Sequence, residues 1–248
     1  MILITIGTII LVIVVVYYAK NNPYAKLRSF KKNDDVESIA SLLNSTNNKN
    51  INFLNQIILV LSNYTTVNRR FLPRPALYGL EQFAKMNNDY VFSREAVEKI
   101  TYALYTYTDE AINTLSAIGE SAVEPLALQM NNDGRDKTDN GPIATYAIQA
   151  FTQMYFRNND PHLRVIILNK IASFFNTNFV ARSGGNSDFL NSCIKHSILN
   201  FYNKIKINDE QVFNNIRLYI LNSNCWKDNE ARYGYINIFE HLKKHIVF

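Results

Sequence analysis

The sequence predicts an all-α fold, a succession of paired helices behind one apolar N-terminal segment, and three observations predict it. Glycine is scarce, 8 in 248 residues, too few for the turns of a β-sandwich or a nucleotide-binding sheet. Apolar residues recur at helical spacing in runs of about 11 to 20 residues, divided by short Asn, Asp, Gly or Pro punctuation, with no strand alternation between them. Residues 2–18, ILITIGTIILVIVVVYY, contain no charge. The remaining composition, 47% hydrophobic and 19% charged, excludes collagen-like, disulfide-scaffold and wholly disordered chains.

The first element is expected to be a transmembrane helix over residues 1–19, about 28 Å long at 1.5 Å per residue, just enough to span a bilayer. Ile and Val occupy every face of it, unlike the single stripe of a core-packed helix. No basic region precedes it and no A-x-A-like site follows it, so retention is expected over cleavage. Tyr17 and Tyr18 stand where an interfacial aromatic belt belongs, and Lys20, Lys26, Arg28, Lys31 and Lys32 follow. The positive-inside rule then puts the C-terminal side in the cytoplasm. Residues 20–33, polar and basic with Pro23, read as a juxtamembrane linker, and residues 34–248 as the helical domain.

Within that domain the spacing predicts helices over residues 34–44, 51–64, 74–86, 93–107, 109–118, 121–131, 141–157, 160–176, 187–206, 209–222 and 226–247. Ser93 with Glu95 and Glu98, Asp160 before Pro161, and Ser187 before Asp188 are helix starts: a cap, then acidic groups that complement the dipole. Leu190, Ile194, Ile198, Phe201 and Ile205 form a packing stripe at spacings of three and four. The helices pair naturally as 34–64, 74–107, 109–131, 141–176 and 187–222, with 226–247 as a cap.

The most informative stretch is residues 115–126, LSAIGESAVEPL. Here a helix ends in Ile118 before Gly119, and the next opens with Ala122, Val123, Pro125 and Leu126. Glycine permits positive φ at a helix end, proline is tolerated in a first turn, and alanine lets helices approach closely. Together with Leu115 these residues resemble the HEAT repeat, particularly the short bacterial HEAT-like and armadillo-type α-solenoid kind, over about one unit at 109–131. The resemblance implies a solenoid of about five helix pairs whose stacked helices offer an extended binding surface.

Charge is unevenly distributed: residues 1–92 carry 10 basic and 5 acidic groups, residues 93–139 carry 4 and 9, and residues 140–248 carry 12 and 7. An acidic middle between basic ends points to electrostatic selection of a protein partner, a basic peptide or domain in the first instance. Glu120 and Glu124 are the candidate acidic contacts, with Asp133 and Asp136 in the charged loop 132–140. Arg69, Arg70 and Arg74 form a basic group that also reads as a solvated loop.

Catalytic and metal sites are not expected. Cys193 and Cys225 are too few for a ligand set. His241 and His245 share a helix face, but Lys243 and Lys244 between them oppose a cation. His162 and His196 read as helix residues, Trp226 as a packing residue, Gly184 and Gly185 as a turn, and the paired carboxylates as helix starts. No Walker A, G-x-S-x-G, G-x-G-x-x-G or C-x-x-C pattern occurs. The expectation is therefore a membrane-anchored, non-enzymatic scaffold without cofactor, whose work is protein binding. Two alternatives come by resemblance alone, a HEAT-like nucleic-acid-binding or DNA-repair protein similar to the alkylpurine glycosylases and a HEAT-like bilin lyase. The acidic middle argues against nucleic acid, and no small-molecule substrate is indicated.

Overall fold

The computed structural model describes residues 22–46, 50–66, 72–130 and 143–176, together with Asn200, Phe201 and Lys204. Its elements are α1 (Pro23–Lys32), α2 (Val36–Ser45), α3 (Ile51–Thr65), α4 (Pro73–Met86), α5 (Arg94–Tyr102), α6 (Thr108–Ile118), α7 (Val123–Met130), α8 (Ile143–Arg157) and α9 (Pro161–Asn176). Short 3-10 turns at Ala103–Tyr105 and Gly119–Ala122 link α5 to α6 and α6 to α7. The described residues are all-α, with no strand among them. None of their helices is long and apolar enough to cross a membrane, and the predicted span at 1–19, with Tyr17, Tyr18 and Lys20, lies outside them. The helices expected at 209–222 and 226–247 also lie outside, as does 187–206 apart from the helical Asn200, Phe201 and Lys204.

Side chains punctuate the helix starts, at Ser93 and Asp160 as expected and at Asp35 and Asn50 besides. Asp35 accepts from the Ser38 amide at 3.1 Å, Asn50 from Phe53 at 3.2 Å, Ser93 from Ala96 at 3.4 Å and Asp160 from His162 at 2.9 Å, each occupying an amide that the first helical turn leaves open. Two boundaries differ from expectation. Residues 23–32 form a packed helix: Asn22 caps the Tyr24 amide at 2.9 Å, Pro23 supplies the preset φ of a first turn, Leu27 is buried, and the Tyr24 ring sits 4.5 Å from that of Phe53. Lys26 and Arg28 thus lie on the exposed side of α1, which packs on α2 and α3 and extends the helical domain upstream of residue 34. The helix from residue 93 gives way to the 3-10 turn after Tyr102, where the Thr106 and Tyr107 amides both donate to the Ala103 carbonyl.

Helices alternate between two layers. In one, α2, α4, α6 and α8 lie side by side in chain order; in the other, α3, α5, α7 and α9 do the same. Within the even-numbered layer α2, α4 and α6 each pack extensively on the second helix after them, and the layers meet most closely at α3 against α4 and α7 against α8. One continuous apolar core fills the space between, with Ile39, Leu43, Phe53, Leu54, Phe83, Phe151 and Phe201 fully buried. Buried hydroxyls tie neighbours within each layer. Thr114 on α6 donates to the Leu77 carbonyl on α4 at 3.1 Å, and Thr65 on α3 to the Lys99 carbonyl on α5 at 3.2 Å. Gly79 marks the tightest approach: a Cβ built there would lie 2.4 Å from the Ala40 Cβ, so α4 can press against α2 only without a side chain.

The stretch 115–126 makes a sharp corner between layers. Leu115, Ile118, Gly119, Ala122, Val123, Pro125 and Leu126 are all buried. Gly119 has φ 72° and ψ −131°, so the corner uses positive φ but not the left-handed helical well. Pro125 lies in the first turn of α7, where its missing amide hydrogen would have had no helical partner.

Candidate partner-binding groove

Along the even-numbered layer, α6, α8 and the helical residues near 200 enclose a groove of about 710 Å³. It follows from polar residues four apart. Asp109 and Asn113 stand on α6, Gln149, Gln153 and Arg157 on α8, and Asn200 and Lys204 on the third segment, each set on one helix face. Ile112, Thr152 and Phe156 floor the groove between them. Asp109, Gln149, Arg157, Asn200 and Lys204 are exposed, so it opens to solvent along its length.

Arg157 closes one end. Its guanidinium donates to Ser116 Oγ at 3.0 Å and to Asn113 Oδ1 at 3.3 Å, near the end of α6. Gln153, one turn earlier on α8, donates from Nε2 to the same Asn113 Oδ1 at 2.6 Å. The fork is thereby oriented by uncharged groups, and among the described residues Arg157 makes no ion pair. Five other cations hold a carboxylate: Arg74 that of Glu110, Lys85 that of Glu81, Arg94 that of Glu98, Lys99 that of Glu95 and Lys170 that of Glu124; Arg164, like Arg157, is held by neutral acceptors.

The site residues predicted from sequence do not converge on this groove. Arg74, at the start of α4, binds Glu110 at 2.8 Å and lies 5.9 Å from the centre of the Tyr107 ring. Glu120 is exposed in the 3-10 turn and Glu124 in the first turn of α7, on the side where the odd-numbered helices begin. Glu124 is ion-paired to Lys170. The hydrogen bond and charge of Glu98 raise the Arg94 pKa, and the charge of Glu124 adds to this. Arg69, Arg70, Asp133 and Asp136 lie outside the described residues, as do Cys193, Cys225, His196, His241, His245, Trp226, Gly184 and Gly185.

Among the described residues no three His, Cys, Asp or Glu side chains come together as a metal site, and His162 caps no cleft but sits exposed in the first turn of α9. The groove's amides can donate and accept, its guanidinium can hold an anion, and its apolar floor can take side chains. These are means of binding. Sequence reading passed over it because polar residues at spacing four are the ordinary mark of a solvated helix face. Only the juxtaposition of three such faces reveals the trough.

No protein-family model, no curated protein and no solved structure matches the chain.

Proposed function

We propose that the chain is a scaffold of the HEAT-like α-solenoid kind, held at the cytoplasmic face of a membrane by its N-terminal segment, which binds a protein partner along its even-numbered helices. The observation that carries this reading is the packing of each even-numbered helix on the next one of its layer, from α2 to α4 to α6 to α8, with a polar trough between α6 and α8. A surface built by repetition suits an extended partner segment. The burial of all seven residues of the repeat-like corner supports the same architecture.

Membrane attachment rests on the uncharged run at residues 2–18 and the basic residues after it. The acidic group Glu120 and Glu124 is a secondary contact surface. Its Glu124 already holds Lys170, whereas the groove presents a cation oriented by neutral groups. The groove is thus the stronger candidate.

The test is to purify tagged full-length protein from detergent-solubilised native membranes, alongside a chain lacking residues 1–19, and identify what co-purifies by mass spectrometry. A stoichiometric protein partner, with loss of membrane association in the shortened chain, is expected. Recovery of lipid or nucleic acid alone would overturn the scaffold reading.

A further inference from the structure

We infer that the partner segment seated in the groove carries an acidic side chain, and that its carboxylate docks on Arg157. This inference rests on the protein-binding reading of the groove. Three observations carry it. The Arg157 fork is fixed by Ser116 and Asn113 at 3.0 and 3.3 Å, so its orientation is set before any ligand arrives. Both acceptors are uncharged and the side chain is exposed, so the guanidinium retains donors that can face an incoming group. No carboxylate of the described residues pairs with Arg157, whereas Arg74, Lys85, Arg94, Lys99 and Lys170 each hold one; Arg164, which is held by neutral acceptors too, does not line the groove.

A carboxylate is the planar two-oxygen group that a guanidinium fork accepts most specifically, through two parallel charge-assisted hydrogen bonds. Asp109, the carboxylate of the lining, stands a full helical turn before Asn113. The amides of Gln149 and Asn200 are exposed along the trough and offer donors and acceptors to an extended main chain. Placement at Arg157 therefore fixes the register of the segment as well as its charge. The sign is opposite to the basic partner that the acidic middle of the sequence suggests.

The test uses full-length protein in detergent micelles and immobilised pools of extended octapeptides, randomised except for one central position fixed as Glu, Gln, Lys or Ala. The Glu pool is expected to retain the protein about tenfold better than the Gln pool, the discrimination typical of a charge-assisted pair. Arg157→Gln should erase that preference and leave Gln-pool retention in place, while Leu128→Lys, on the other layer, should change neither. Helicity and Tm of both variants establish that they are folded. Equal retention of Glu and Gln pools, or a preference that survives Arg157→Gln, would overturn the inference while leaving peptide binding intact. Retention by no pool would remove the protein-binding reading of the groove itself. Displacement of the Glu pool by oligothymidylate or inorganic phosphate at low concentration would assign Arg157 to a phosphate ligand instead, and so refute the acidic-peptide assignment.

Discussion

Replacing Gly79 with alanine adds one methyl group at the point where α4 presses on α2. The new Cβ would stand 2.4 Å from the Ala40 Cβ and 3.2 Å from its Cα, against the ~3.5–4.0 Å of a relaxed carbon contact. Neither obstacle is the mobile end of a side chain, so the two helices must part by about 1 Å. Parting them loosens the fully buried Ile39, Leu43, Leu61, Leu77 and Leu80 around the crossing. Overpacking of this kind costs about 1–3 kcal/mol, and a backbone-fixed clash belongs near the top of that range. Alanine's better helix propensity offsets about 1 kcal/mol, leaving a net loss of about 2 kcal/mol. For a chain of this size that lowers Tm by about 4–8 °C, read from helical ellipticity on heating. Adding Ala40→Gly should recover part of the loss, because the Ala40 methyl is removed but the 3.2 Å approach to its Cα remains. A Gly79→Ala protein as stable as the parent would refute the close packing of α2 on α4 from which the even-numbered layer starts.

Gly119→Ala should also destabilise, by about 1–3 kcal/mol, for a different reason: the nearest atoms to a built Cβ are 3.9 Å away, so the cost is that of holding φ 72° and ψ −131° alone. Gly119→Asn should give little relief, because ψ lies outside the left-handed helical well that asparagine tolerates; equal Tm for Gly119→Asn and parent would contradict this. Burial raises the Tyr90 pKa above its ordinary 10.0, so the folded state keeps a proton that the unfolded state releases. Its contribution is therefore full below pH 10.0 and is lost as pH rises through the higher folded value; Tyr90→Phe should flatten the alkaline fall in Tm, and an unchanged slope would contradict that. Arg74→Gln should change stability by less than about 1 kcal/mol, because the side chains of Arg74 and Glu110 are 68% and 36% exposed. A drop in Tm beyond about 4 °C would mean that the guanidinium's place over Tyr107 carries more than the ion pair.

Most helices could be read from the sequence because apolar period and caps agree. Asp35, Asn50, Ser93 and Asp160 each precede a regular apolar stripe, and each binds an amide of the turn it starts. The corner at Gly119 was legible for the same reason, since residue type and backbone need coincide there. Helix α1 was hidden by its charges: Lys26, Arg28, Lys31 and Lys32 dominate its composition, and only Tyr24, Leu27 and Phe30 at spacing three betray a packed face. The 3-10 turn at Ala103–Tyr105 leaves the apolar period unbroken and so gave no signal. The groove was least legible. Asn113, Gln149, Gln153 and Arg157 become a site only when α6 and α8 lie side by side, and one-dimensional spacing does not say which helices are neighbours. The acidic middle was legible as composition but not as surface, because Glu95, Glu98, Glu110 and Glu124 are answered by cations of the same chain.

The most direct test of partner binding along the even-numbered layer is photocrosslinking in native membranes from p-benzoylphenylalanine placed singly in the full-length chain. Gln149 probes the groove, and the exposed Leu128 and Val165 probe the opposite layer. The account predicts one discrete protein adduct from Gln149, lost when Arg157→Gln is added, and no matching adduct from Leu128 or Val165. The same adduct from all three positions, or an adduct from the opposite layer alone, would contradict it.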